Sequence, residues 1–191
     1  MIAHLAQNTI GMLWFIFILF WLVTAFSAKR KVRTGWWKRE TLLRLAIAAC
    51  VVVIFLLLPA KNIGASYADS PAYGILAALG IFLVAAGLGY ALWARMNLGR
   101  NWSGYPSVQE NHELVTSGPY RTVRHPIYTG IILALAGSLM VGAVGWIVAF
   151  FTITPILLLR IPAEEKIMRG LFPNEYPAYM KRTKRLVPFI W

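Results

Sequence analysis

The sequence predicts an all-α integral membrane protein of about five transmembrane helices, with a small cytoplasmic cap formed by the 97–124 loop and the C-terminal tail. Three observations carry this prediction. Hydrophobic residues make up 59% of the 191-residue chain, above the roughly half expected of a soluble domain. Charged side chains are absent from four long stretches. The basic residues between those stretches fall almost entirely on one side of an alternating bundle.

The gaps define the elements in order. No Lys, Arg, Asp or Glu occurs from Met1 to Ala28, from Leu45 to Ala60, from Ser70 to Ala94, or from His125 to Leu159. A helix rises about 1.5 Å per residue and the hydrocarbon core is about 30 Å thick. The first and third gaps therefore each hold one spanning helix. The second is short and relies on Arg44 and Lys61 snorkelling outward. The fourth is too long for one span and carries "VGAVG" at 141–145, which predicts a tight hairpin of two short spans with Pro155 as a tolerated kink. Residues 1–191 read as a single membrane domain, with three transmembrane helices in 1–96 and the hairpin and tail in 97–191.

Placing the segments after the first, third and fifth spans in the cytoplasm puts 18 of the 19 Lys and Arg residues there, leaving Lys61 outside. The N-terminus is then outside, the C-terminus inside and the functional face cytoplasmic. "AFSA" at 25–28 could suggest a cleaved signal peptide, but "MIAHLAQN" lacks basic residues and a basic run follows directly, which favours retention. The net charge of +12 faces anionic lipid; without aromatic interleaving it does not indicate nucleic acid. The single cysteine, Cys50, can form no intrachain disulfide and reads as a small buried hydrophobe.

Chemistry concentrates in two pieces on the same face. "GPYRTVRHPIYTG" (118–130) crowds Arg121, Arg124, His125 and Tyr128 at the mouth of the hairpin, where Pro126 starts a helix. Its plain reading is interfacial: arginines on lipid phosphates, His125 and Tyr128 in the aromatic belt. The tail supplies the second piece. Arg160 ends the apolar run, Pro162 opens a new helix, and Glu164 and Glu165 fall in its first turn. An Arg160–Glu164 pair at i, i+4 is worth a few tenths of a kcal/mol at most. Two carboxylates on an otherwise basic face would also serve a bound organic cation, and adjacent helix positions diverge, so one of them would face it.

"HELVTSGPYRTVRHPIYTG" (112–130), the R-x-x-x-E-E of 160–165, the F-x-x-E-Y-x-x-Y of 172–179 and "VPF" (187–189) resemble the isoprenylcysteine carboxyl methyltransferase family. These are membrane-embedded enzymes that use S-adenosylmethionine and release S-adenosylhomocysteine. The resemblance runs from about Leu98 onward and marks 97–191 as the methyltransferase core; Lys166 and Pro173 depart from the family's usual acidic residue and glycine. It implies a cofactor site drawing His112, Leu114, Val115, Gly118, Tyr120, His125, Pro126 and Tyr128 from the first piece. Glu164, Glu165, Tyr176 and Tyr179 would come from the second. Arg160 would lie near the carboxylate of the methyl acceptor, making Arg160 and Glu164 the catalytic pair.

Methyl transfer to a carboxylate is an in-line displacement from a sulfonium, and the nucleophile, with a reference pKa of about 4, needs no general base. The protein supplies alignment and dryness. The expected partners are the bilayer and a lipophilic acceptor entering from it, such as a prenylated cysteine carboxylate. Alternative readings are a nicotinamide-dependent (NADPH) membrane reductase of the sterol type, whose members resemble the RHP-x-Y element, and a non-catalytic lipid-binding module. A Rossmann methyltransferase is excluded, because "GLG" at 87–89 lies inside a helix with no preceding strand. His4, His112 and His125 show no metal-ligand spacing, and there is no Ser nucleophile elbow.

Overall fold

A computed structural model of the chain describes residues 1–25, 70–99, 113–188 and 190. The expected second span and His112 lie outside them. The helices are α1 (Ile2–Ala25), α2 (Pro71–Leu98), α3 (Pro126–Leu139), α4 (Val144–Leu171) and α5 (Glu175–Arg182), with a 3-10 turn at Gly118–Arg121. Among the described residues α1, α2 and α4 are long and apolar enough to cross a membrane, and α3 is a shorter apolar helix. The chain is an all-helical integral membrane protein.

Local chemistry sets the ends. Ser70 caps α2 by accepting a hydrogen bond from the Tyr73 backbone N–H at 3.2 Å, and Pro71 follows as a first helical residue without an N–H to satisfy. Pro126 opens α3 in the same way. The hairpin turn lies at 140–143, where Gly142 takes φ +69, a left-handed conformation that favours glycine.

Two expectations are corrected here. The hairpin does not consist of two short spans: α3 has 14 residues but α4 has 28. Nor does Pro162 open a new helix, because α4 runs unbroken through Pro155 and Pro162 to Leu171. At Pro155, inside the charge-free stretch, no water competes for backbone groups and neighbouring turns carry the helix across the proline. Pro162, exposed between Arg160 and Glu164, is held in the same helix by the turns on either side.

α1 and α2 run parallel. Arg95, near the end of α2, is 3% exposed; its Nη2 donates to the Thr24 carbonyl of α1 and its Nη1 to Gly99, each at 2.8 Å. A guanidinium there meets the carbonyl-rich ends of both helices, where a cation is favoured. α3 runs antiparallel to α2 at very close range. A Cβ on Gly87 would stand 2.5 Å from the Gly130 carbonyl oxygen, and one on Gly80 would stand 2.7 Å from that of Gly137. The two contacts recur two turns apart, the small-residue packing that lets helices associate in lipid. Alanines and Val84 fill the seam, and Trp14 of α1 donates to Ser138 of α3 at 3.0 Å. Together these directions bring the ends of α1, α2 and α4 and the start of α3 to one end of the bundle.

Substituting valine at Gly87 should destabilise the protein by about 1–3 kcal/mol, since the clash is with backbone that cannot move aside. Gly89→Val should stay within about 0.5 kcal/mol, because a Cβ there meets nothing within 4 Å among the described residues. Thermal melting of both variants in detergent checks the contrast.

Candidate active site

The site is built where α3 begins. Residues 113–116 approach without regular structure, the turn at Gly118–Arg121 reverses the chain, and Val123–His125 lead into α3. Gly118 has φ +57, a left-handed conformation that favours glycine, and a Cβ there would lie 2.7 Å from the Asn97 Cγ of α2, whose side chain would have to move aside. Tyr120 is buried with Ala94 and Ile127, and Val115 and Tyr128 pack on the same cluster. Leu114 is half-buried.

The tail folds back onto this entry. Val123 and Lys184 form an isolated parallel bridge. The Arg124 N–H donates to the Lys184 carbonyl at 2.8 Å, the His125 N–H to Arg185 at 3.0 Å, and the Lys184 N–H to Thr122 at 3.2 Å. Thr129, one turn into α3, donates its hydroxyl to the Leu186 carbonyl at 2.7 Å. Tyr179 of α5 reaches the Tyr120 carbonyl at 2.7 Å, and its ring lies 5.8 Å from that of Tyr176. Two sequence-distant pieces therefore share one framework.

Side chains from α3 and α4 meet inside it. Tyr128 donates its hydroxyl to Glu164 Oε1 at 2.5 Å, and its ring stacks on His125 with centroids 5.5 Å apart. Arg160 Nη2 reaches the same Glu164 oxygen at 3.2 Å. His125 stands between the two glutamates, its Nδ1 3.5 Å from Glu164 and its Nε2 3.7 Å from Glu165, and that Nε2 is buried without a hydrogen-bond partner among the described residues. The two carboxylates differ sharply. Glu164 keeps 21% of its side chain exposed, whereas Glu165 is at 1%. Glu165 accepts from Arg124 Nε at 2.8 Å and from Arg185 Nη2 at 3.4 Å.

Of the sequence-predicted residues, the structure brings His125, Tyr128, Arg160, Glu164 and Glu165 into direct contact, with Pro126 at the start of their helix. Tyr120, Tyr176 and Tyr179 form the adjoining wall of the cap. Arg124 and Arg185 were missed as site residues. Arg124 was indistinguishable from Arg121 as a lipid anchor, yet its side chain is 7% exposed while Arg121 points outward. Its Nη1 also donates to the Met180 and Thr183 carbonyls. No sequence signal marks Arg185 within a run of basic residues.

Burial alone would lower the pKa of His125, but the facing carboxylates of Glu164 and Glu165 outweigh it, and the net shift is upward from 6.5. Burial pushes the Tyr179 hydroxyl up to about 12 and raises Tyr120 and Tyr176 as well, so these phenols stay protonated. Among the described residues no group of three His, Cys, Asp or Glu is placed to hold a metal ion.

Removing Arg124 leaves Glu165 buried with only Arg185 and His125 near it. Arg124→Ala should destabilise the protein by about 3–5 kcal/mol, and Arg121→Ala by no more than about 0.5 kcal/mol, as measured by melting in detergent. The raised pKa of His125 has a definite sign. Its stabilisation is complete below the ordinary value of 6.5 and is lost as pH rises through the higher folded value. The melting-temperature advantage of wild type over His125→Gln should therefore narrow as pH is raised above 6.5.

A sequence profile of the isoprenylcysteine carboxyl methyltransferase (ICMT) family matches residues 78–170. Protein-S-isoprenylcysteine O-methyltransferase B of Arabidopsis thaliana is 31% identical over 84 residues, 43% of this chain and 43% of that protein. The cobalt-zinc-cadmium resistance protein CzcN of Cupriavidus metallidurans is 37% identical over 98 residues, 48% of this chain and 43% of that protein. The solved structure of the eukaryotic intramembrane Ras methyltransferase ICMT aligns with a TM-score of 0.55 at 19% identity, over 83% of this chain and 55% of that one, which shows a shared fold. The chain spans about half the length of these relatives. The region that matches the isoprenylcysteine carboxyl methyltransferase family profile, residues 78–170, is the one that holds the cluster of His125, Tyr128, Arg160, Glu164 and Glu165.

Proposed function

We propose that the protein transfers a methyl group from S-adenosylmethionine to a lipophilic acceptor, the carboxylate of a prenylated cysteine or a similar lipid-like acid. The observation that carries this reading is the pairing at one membrane end of a partly open carboxylate, Glu164, with the His125 ring, whose Nδ1 faces Glu164 and whose buried Nε2 has no hydrogen-bond partner among the described residues. Unmet hydrogen-bonding capacity beside a carboxylate fits the hydroxyls and ammonium of a nucleoside amino acid. Bound S-adenosylmethionine supplies an electrophilic methyl on a sulfonium.

The chain's own residues divide the remaining work. Glu164 and His125 provide acceptor and donor for the cofactor's polar groups, and Tyr128 orients the Glu164 carboxylate through its hydroxyl. Leu114, Val115, Gly118 and Pro126 line the approach, and Tyr120, Tyr176 and Tyr179 close the site from the cap as neutral phenols. Arg160, on the helix that crosses the membrane, exchanges its contact with Glu164 for the acceptor carboxylate, which it can hold bidentately. An ionised carboxylate needs no proton removed, so the residues have only to align it and exclude water. The site faces the cytoplasm, with the N-terminus outside, and an oily acceptor reaches Arg160 from the bilayer without crossing water.

Calorimetric titration of the detergent-purified, folded protein with S-adenosylhomocysteine tests this reading. Wild type should bind, Glu164→Ala should weaken binding by about tenfold or more, and Arg160→Ala should keep binding while losing methyl transfer. Absence of binding to folded wild-type protein would remove the proposal.

A further inference from the structure

The two glutamates of the E-E pair are chemically alike and adjacent, but only one has a free side. Glu165 is 1% exposed, and both of its oxygens are occupied: Oε1 by Arg124 and Oε2 by Arg185. These arginines come from different segments, Arg124 from the entry to α3 and Arg185 from the tail. Between them run the three backbone hydrogen bonds of the 122–125 and 184–185 strap. Arg124 continues the linkage to the end of α5 through the Met180 and Thr183 carbonyls. Buried in this way, a carboxylate at the centre of three segments holds them more firmly than exposed pairs could, because separating it from its arginines strands charge away from water.

We propose that Glu165 is a positioning residue: its carboxylate, gripped by Arg124 and Arg185, straps the tail across the entry of α3 and so presents His125, Tyr128 and Glu164 to one ligand. Glu165 then contributes to the site without touching the ligand, and the work of the pair is divided, Glu164 recognising and Glu165 aligning. His125 is the point of transmission. Its backbone N–H is tied to Arg185 and its ring stands between the two carboxylates. For its ligand readout this inference rests on the methyl-donor reading above.

The strap can be observed without any ligand, through hydrogen exchange of the Arg124, His125 and Lys184 amides. Glu165→Gln should speed exchange at these three amides by about tenfold or more relative to wild type, with Ala91 in α2 unchanged. Arg185→Ala should act in the same direction and Arg185→Lys should largely restore protection. Unaltered exchange in Glu165→Gln would overturn the proposal.

The second arm separates aligning from binding. Val123→Cys and Lys184→Cys, in a Cys50→Ala background, place a reducible crosslink on the bridge between entry and tail. Glu165→Gln should weaken S-adenosylhomocysteine by about tenfold. Oxidation of the cysteine pair should bring affinity back to within about twofold of the oxidised pair with Glu165 intact, and reduction should abolish the recovery. A loss that persists in the crosslinked protein would make Glu165 a direct ligand and overturn the positioning role. If wild type itself fails to bind, the methyl-donor reading falls, and the exchange arm still decides whether Glu165 holds the strap.

Discussion

The buried contact between Arg124 and Glu165 is the constraint on which the rest of this end of the molecule depends. A carboxylate sealed from water is tolerated only with its charge met, and here it is met by a guanidinium delivered from a segment 41 residues earlier in the chain. That requirement draws the entry of α3 against α4. The same guanidinium reaches Met180 and Thr183, so α5 and the tail are drawn in as well. The cap buries Tyr120, Val123, Tyr176, Tyr179 and Leu186 as an apolar interior of its own. Directional charge pairing and a few backbone hydrogen bonds add the fixed alignment that apolar contacts alone do not specify.

The membrane part solves a different problem. Lipid gives apolar helices no reason to prefer one another over acyl chains, so packing must come from close approach. Gly80 with Gly137 and Gly87 with Gly130 provide it between α2 and α3, and Arg95 ties the end of α2 to the end of α1. α4 is less enclosed: Phe151 and Leu159 are well exposed, and only Ala149, Ile161 and Glu165 along its length are buried. The bundle thus has a tight half that fixes His125 and Tyr128 and a looser helix that carries Arg160 and Glu164. The contact of His125 and Tyr128 with Glu164, and of Glu164 with Arg160, lies at the junction of the two.

Much of this was legible in the residue order. Gaps in charge located α1 and α2 to within a few residues, because a charged side chain in hydrocarbon is costly wherever the helix packs. Pro126 marked the start of α3 for an equally local reason, the missing N–H. Pro162 misled for the converse reason: whether a proline opens a helix or is absorbed within one depends on the turns around it, and here α4 continues through it. The contrast between Arg121 and Arg124 was beyond any local reading. Both flank the same turn, and only the arrival of Glu165 and Thr183 from far along the chain decides which is buried. Gly87 and Gly89 behave alike in sequence, yet one meets backbone and the other nothing. Burial of a particular side chain is a property of pairs of segments, and one segment does not contain it.

The continuity of α4 has a consequence for where the protein can work. Its 28 residues extend about 42 Å, longer than a typical hydrocarbon core of about 30 Å. The face that acyl chains contact and the carboxylate that meets His125 belong to one unbroken rod. Changes in bilayer thickness are accommodated by helix tilt, and a tilted rod carries its far end with it. A change in bilayer thickness that tilted α4 would therefore shift the geometry around Glu164 mechanically, through the angle of a lever, with no lipid needing to enter the site.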